Sequence, residues 1–149
     1  MKGKVSRLIK RAIDQAMGSR EFYLTMANLV ERLETKETLR YLAKNEELHK
    51  RFFQKILDEA VCPLELPVQD VHLSEFLEMP HITRNMTPKE ALVLAIKREE
   101  TLYKFYKNLE SVQPPGEIKK LLQEMALIKL EHKDKLEYIY DDVAFPEVW

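Results

Sequence analysis

At 149 residues the chain has the length of one domain, 1–149, enough to bury a core without covalent staples. With 24 Lys plus Arg against 25 Asp plus Glu, its net charge of −1 gives no general attraction for nucleic acid or an anionic membrane. A single cysteine, Cys62, excludes an internal disulfide framework, a CxxC redox pair and a cysteine-rich metal site, and no apolar run reaches the roughly 18–20 residues of a membrane span. The 45% apolar and 33% charged composition is that of a globular chain rather than a disordered one. The basic residues Lys2, Lys4, Arg7, Lys10 and Arg11 precede no apolar signal region, so the expected compartment is the cytoplasm.

Prolines at 63, 67, 80, 88, 114, 115 and 146 leave 1–62, 89–113 and 116–145 free of proline, and helices belong in those stretches. Helix one is expected over about 5–31, with Ile9, Ala12, Ala16, Tyr23, Ala27 and Val30 on its apolar face. The polar run near Leu33 to Glu37 breaks it, with Thr35 or Thr38 as the cap of the next helix. Helix two, about 37–59, aligns Leu39, Leu42, Phe53 and Ile56. Residues 60–88 form a long crossover connection with four prolines, inside which Leu73 to Met79 reads as a short helix. Helix three opens on Thr87-Pro88-Lys89-Glu90, a capping box with proline at the first helical position, and aligns Leu92, Ala95, Leu102, Tyr106 and Leu109. Pro114-Pro115-Gly116 breaks the chain between helix three and helix four. Helix four, about 117–141, aligns Ile118, Leu122, Met125, Leu136 and Ile139. Two short links and one long one predict an all-α four-helix bundle of two antiparallel hairpins joined by a crossover.

The chain also repeats itself at a constant offset of 83: Ala12-Ile13 with Ala95-Ile96, Phe22-Tyr23 with Phe105-Tyr106, Leu39 with Leu122, Ala43 with Ala126, His49-Lys50 with His132-Lys133, and Ile56 with Ile139. One hairpin used twice places equivalent positions about a pseudo-twofold axis, with His49 and His132 facing each other. The apolar faces carry ionisable residues: Glu46 and His49 on helix two, Glu99 on helix three, Lys129 and His132 on helix four. Buried ionisable groups need a partner or a metal ion, because desolvating them alone costs several kcal/mol. Glu46 and His49, three apart, stand one turn apart on one face and can reach one ion.

Ala91–Tyr106 (ALVLAIKREETLYKFY), Leu42–His49 (LAKNEELH) and the hairpin–crossover–hairpin layout resemble the ferritin-like diiron-carboxylate proteins, in particular the rubrerythrin-like group. In that pattern a glutamate stands four residues after the Ala-Ile pair of helices one and three, and helices two and four each carry ExxH. The resemblance implies metal ligation by Glu46, His49, Glu99 and His132, with Glu46 as the bridging carboxylate. The chain departs from the pattern at Ala16, where helix one would carry its glutamate, and at Lys129, where helix four would carry its bridging glutamate. Asp14, Glu21 and Glu131 lie on other faces and do not substitute. The single cysteine excludes the cysteine-ligated rubredoxin module of rubrerythrin proper.

Charge decides what the departures mean. Glu46 and Glu99 supply two negative charges and a protonated Lys129 returns one; two divalent ions then leave about +3, one leaves about +1 and none leaves about −1. At most one tightly held ion is expected, iron in the first place with zinc or manganese as alternatives, on Glu46, Glu99 and His132, with His49 joining through a water. The function that the resemblance implies is a metal-binding protein, an iron-dependent oxidoreductase of ferroxidase or peroxidase type with reduced or lost activity. A competing reading is a metal-free bundle, a binding or structural module in which the Lys129 ammonium replaces the metal; a third is a small-molecule site inside the bundle. Lys129 reaching out of the core, or Glu46 and His49 on an exposed turn, would leave a plain bundle. Tyr23 and Tyr106 read as core fillers first and as hydrogen-bond partners of the carboxylates second. His72 and His81 read as surface residues and Cys62 as an inert small hydrophobe. The apolar tail AFPEVW points to packing on the bundle end or on a second subunit. A homodimer is the expected assembly, with a separate electron donor for any redox activity, and no nucleic acid or membrane partner.

Overall fold

A computed structural model describes residues 2–59, 64–67, 73–77 and 86–144. Four long helices carry the fold: α1 (Lys2–Leu29), α2 (Leu33–Asp58), α3 (Pro88–Ser111) and α4 (Glu117–Ala144). No strand occurs among the described residues. Cys62, His72, His81 and residues 145–149 lie outside the described residues.

The first hairpin turns earlier than the polar run suggests. Helix α2 begins at Leu33 after Arg32, an N-cap without a side-chain bond. Thr35 is buried inside the helix, and Thr38 donates back to the Glu34 carbonyl one turn earlier. Two other contacts hold this turn: Lys36 Nζ donates to the Ala27 carbonyl at the end of α1 (3.0 Å), and Arg32 pairs with Asp142 of α4 (2.6 Å). A lysine on the last carbonyls of a helix satisfies acceptors that have no intrahelical donor; it closes the end of α1, while the start of α2 has no side-chain cap in place of the threonine expected there. Helix α3 starts as the sequence predicts: Glu90 N donates to Thr87 Oγ1 while Thr87 N donates to the Glu90 carboxylate, with Pro88 at the first turn. Leu73–Leu77 forms a 3-10 segment where a short helix is expected over Leu73 to Met79, whose last two residues lie outside the described residues.

The buried residues fall into two apolar clusters. One joins the N-terminal half of α1 (Val5, Ile9, Ala12) to the C-terminal part of α2 (Phe53, Ile56), the C-terminal half of α3 (Leu102, Phe105, Leu109) and the start of α4 (Leu122, Met125). The other joins the far half of α1 (Phe22, Ala27) to Leu39 and Leu42 of α2, Leu92 and Ala95 of α3, and Leu136 and Ile139 of α4. These pairings make α1–α2 and α3–α4 antiparallel hairpins. They also place the end of α2 and the start of α3 at opposite ends of the bundle. Leu64, Leu73 and Leu77 of the connection between them pack into the first cluster. Val30 and Ile118, expected on apolar faces, are only half-buried because each sits at a helix end.

The connection is clamped at one point. Gln113, just past α3 and 4% exposed, accepts from Glu65 N (3.0 Å) and donates to the Glu65 carbonyl and the Leu109 carbonyl (2.8 Å each). One side chain thereby closes the end of α3 and fixes the segment at 64–67 against it.

Candidate metal centre

Between the two apolar clusters lies a polar layer. Glu46, Glu99, Lys129 and His132 are each 0% exposed and His49 is 2% exposed. Helix phase explains the convergence. On α2 the buried positions 39, 42, 46, 49, 53 and 56 follow the 3–4 residue period, so Glu46 and His49 point where Leu42 and Phe53 point. Glu99 sits between Ala95 and Leu102 on the buried stripe of α3, while its neighbour Glu100 is exposed and pairs with Lys133. Asp14, Glu21 and Glu131 are exposed, as their phase requires.

The Lys129 ammonium is the hub. Nζ donates to Glu46 Oε1 at 2.5 Å and stands 3.4 Å from Glu99 Oε2. It does not reach out of the core, and neither Glu46 nor His49 lies on an exposed turn. His132 Nδ1 lies 3.1 Å from Glu99 Oε2 and 3.7 Å from Glu46 Oε1. Tyr23 donates to Glu99 Oε1 at 2.8 Å, so this tyrosine is a hydrogen-bond partner of the site and not merely a core filler. Tyr106 packs its ring edge-on to His49, centroids 5.6 Å apart, and stacks on Phe53.

The two carboxylates live in different surroundings. Burial drives the Glu99 carboxyl up, but Lys129, His132 and Tyr23 together outweigh it and hold the group at about 2. Burial also drives Glu46 up, and there Lys129 and His132 do not compensate, so its carboxyl stays above the ordinary range. Its Oε2 has no hydrogen-bond partner. Burial would lower the Lys129 ammonium, yet Glu46 and Glu99 reverse the effect and raise it, which keeps it charged. Burial and the neighbouring Lys129 and His132 push His49 well down, so its imidazole is neutral. Neither ring nitrogen of His49 has a partner, and Nδ1 lies 4.0 Å from Glu46 Oε2.

The repeat accounts for the asymmetry. At an offset of 83, Glu46 is the mate of Lys129, Ala16 of Glu99 and Tyr23 of Tyr106. Each departure from the ExxH-and-glutamate pattern is thus the mate of a glutamate that is kept. The half-cage left behind fits one divalent ion: one ligand atom each from Glu46, Glu99 and His132 lie within 4.8 Å of one another. The Lys129 ammonium bridges the two carboxylates, and a methyl group stands at position 16 in place of a further carboxylate.

Asn45 escaped the sequence reading. It is 8% exposed and its amide nitrogen lies 3.0 Å from His132 Nε2. The available signal was a break in the repeat, since the mate of Asn45 is Ile128.

Among the described residues no helix is long and apolar enough to cross a membrane. No curated protein matches the chain. Among solved structures it is similar to a hypothetical protein from Pyrococcus furiosus, at 25% identity and a TM-score of 0.74, over 97% of this chain and 93% of that one. The bundle is of the ferritin-like type. A family model for rubrerythrin matches residues 7–140, and the chain belongs to the rubrerythrin family.

Proposed function

We propose that the protein binds a single divalent metal ion per chain, iron in the first place, through Glu46, Glu99 and His132, with His49 contributing through a water. The observation that carries this reading is the buried Glu46–Glu99–His132 group, three potential ligand atoms within 4.8 Å in a layer closed to solvent. Glu46 Oε2 and both ring nitrogens of His49 have no hydrogen-bond partner, and His49 Nδ1 lies 4.0 Å from Glu46 Oε2. When bound, iron would supply one-electron redox chemistry, drawing on a separate electron donor. The protein's own part is to hold two anionic oxygens and an imidazole in place, to exclude water, and to withdraw Lys129 Nζ from between the carboxylates as the ion enters. Withdrawal is required because an ammonium and a divalent ion cannot share oxygens in a dry layer. With two carboxylates in place of four, paired-metal reduction of oxygen or peroxide is reduced or lost.

A second reading is favoured by one contact, the 2.5 Å bond from Lys129 Nζ to Glu46 Oε1. In it the ammonium is the permanent occupant and the bundle serves as a metal-free binding or structural module. Elemental analysis of protein loaded with ferrous iron and desalted separates the two. One ion per chain is expected; none would leave the metal-free module, and two would refute the charge argument. The paired substitution Ala16→Glu with Lys129→Glu restores a four-carboxylate set and is expected to raise the stoichiometry toward two, with oxygen-dependent iron oxidation. An unchanged stoichiometry in that variant would refute the facing arrangement of α1 and α4 at the site.

A further inference from the structure

Asn45 reaches His132 at the ring nitrogen that faces away from the carboxylates. Its amide nitrogen lies 3.0 Å from Nε2, while Nδ1 lies 3.1 Å from Glu99 Oε2. An amide nitrogen can only donate. With that amide nitrogen on Nε2 and a carboxylate oxygen on Nδ1, both contacts are hydrogen bonds only for the imidazole that accepts at Nε2 and gives its Nδ1 proton to Glu99. In this form Nδ1 has no lone pair to offer, although it is the nitrogen that faces both Glu46 and Glu99. Binding a cation at Nδ1 requires the proton there to be lost and one to be held on Nε2, with no net gain or loss. A proton on Nε2 then needs an acceptor, because the ring is 0% exposed and water is excluded.

An amide meets both demands. Turned over about its Cβ–Cγ bond, Asn45 presents its oxygen where its nitrogen stood. The other half of the repeat lacks this device: Ile128 occupies the position equivalent to Asn45, and both nitrogens of His49 are without partners. Of the two histidines in the polar layer, His132 is the one equipped to change tautomer inside a closed core. A histidine that binds metal through one nitrogen ordinarily gives the proton of the other to a fixed acceptor.

We infer that Asn45 is the positioning residue that sets the tautomer of His132, holding the proton on Nδ1 while Lys129 fills the layer and accepting it from Nε2 when a divalent ion takes Nδ1. The second half rests on the single-ion reading; the first half concerns the metal-free protein alone.

The test uses the full chain with 15N-labelled histidine, zinc(II) as a diamagnetic probe, and long-range proton–nitrogen correlation spectra. In metal-free wild type, His132 is expected to show a bare Nε2 and a protonated Nδ1. Asn45→Asp offers only acceptors and is expected to put a proton on Nε2 without metal. A protonated Nε2 in metal-free wild type, or a bare Nε2 in the aspartate variant, would overturn the inference whatever the protein does with metal. With zinc, the wild-type proton is expected to move to Nε2 and the Asn45 amide resonances to shift. Asn45→Leu is expected to bind zinc about 10–100-fold more weakly, with Asn45→Asp restoring the affinity. A leucine variant with wild-type affinity would overturn the second half. Should wild type bind no zinc, the single-ion reading and the second half fall together, while the metal-free spectra still decide the first. If the leucine variant does not fold, the aspartate spectra and the wild-type zinc spectra carry the decision.

Discussion

Replacing Lys129 with methionine removes one charge and keeps nearly the same length of side chain. Lys129, Glu46 and Glu99 are each 0% exposed, so the loss is not softened by solvent. The layer carries two carboxylates against one ammonium, a formal charge of about −1; without the ammonium it is about −2. Leaving one member of a buried ion pair alone costs about 3–5 kcal/mol. Part of that is relieved if Glu46 takes up a proton, which its raised carboxyl favours. For a domain of this size 1 kcal/mol moves Tm by about 2–4 °C, so Lys129→Met is expected to lower Tm by about 6–20 °C in the presence of a chelator. Metal should then do more for the variant than for wild type, since no ammonium has to leave. At 100 times its Kd a bound ion contributes about 2.7 kcal/mol, and zinc should return much of the lost Tm. Scanning calorimetry of both proteins, with chelator and with zinc, reads all four values. A chelated variant as stable as wild type would refute the role given to Lys129. A variant indifferent to zinc would refute the metal site.

Two further predictions use ordinary unfolding assays. Glu99 is held at about 2 in the folded protein, below its ordinary 4.5, so its stabilisation is complete above about pH 4.5 and is lost as pH falls toward 2. His49 is depressed below its ordinary 6.5, so the unfolded chain binds its proton first and stability begins to fall below about pH 6.5. The urea midpoint of wild type relative to His49→Leu should therefore decline below about pH 6.5, with the Glu99 loss following at lower pH in both proteins and the raised Glu46 carboxyl opposing it equally in both; a difference between the two proteins that is flat from pH 7 to 5 would contradict the burial of a neutral imidazole. Gln113→Ala removes three bonds at the end of α3 and is expected to cost about 1–3 kcal/mol. Hydrogen exchange at Glu65 N should quicken in that variant, and unchanged exchange there would show that the clamp does not hold the connection.

The sequence determined the number and faces of the helices, because proline placement and a 3.6-residue apolar period act locally and leave one solution. It determined the capping box at Thr87, whose two bonds span four residues. It also determined which side chains enter the polar layer, since Glu46, His49, Glu99, Lys129 and His132 each lie in phase with apolar neighbours on their own helix. Tertiary structure decided the rest. The turn after α1 is held by Lys36 on Ala27 and by Arg32 on Asp142, and the second of these partners lies 110 residues away, beyond the reach of any local pattern. The same holds for the ammonium that joins Glu46 to Glu99, for Tyr23 on Glu99 and for Asn45 on His132. A helix's period says which way a side chain points. Which atom it meets depends on the rotation and depth of the facing helix, and packing of the whole bundle sets those.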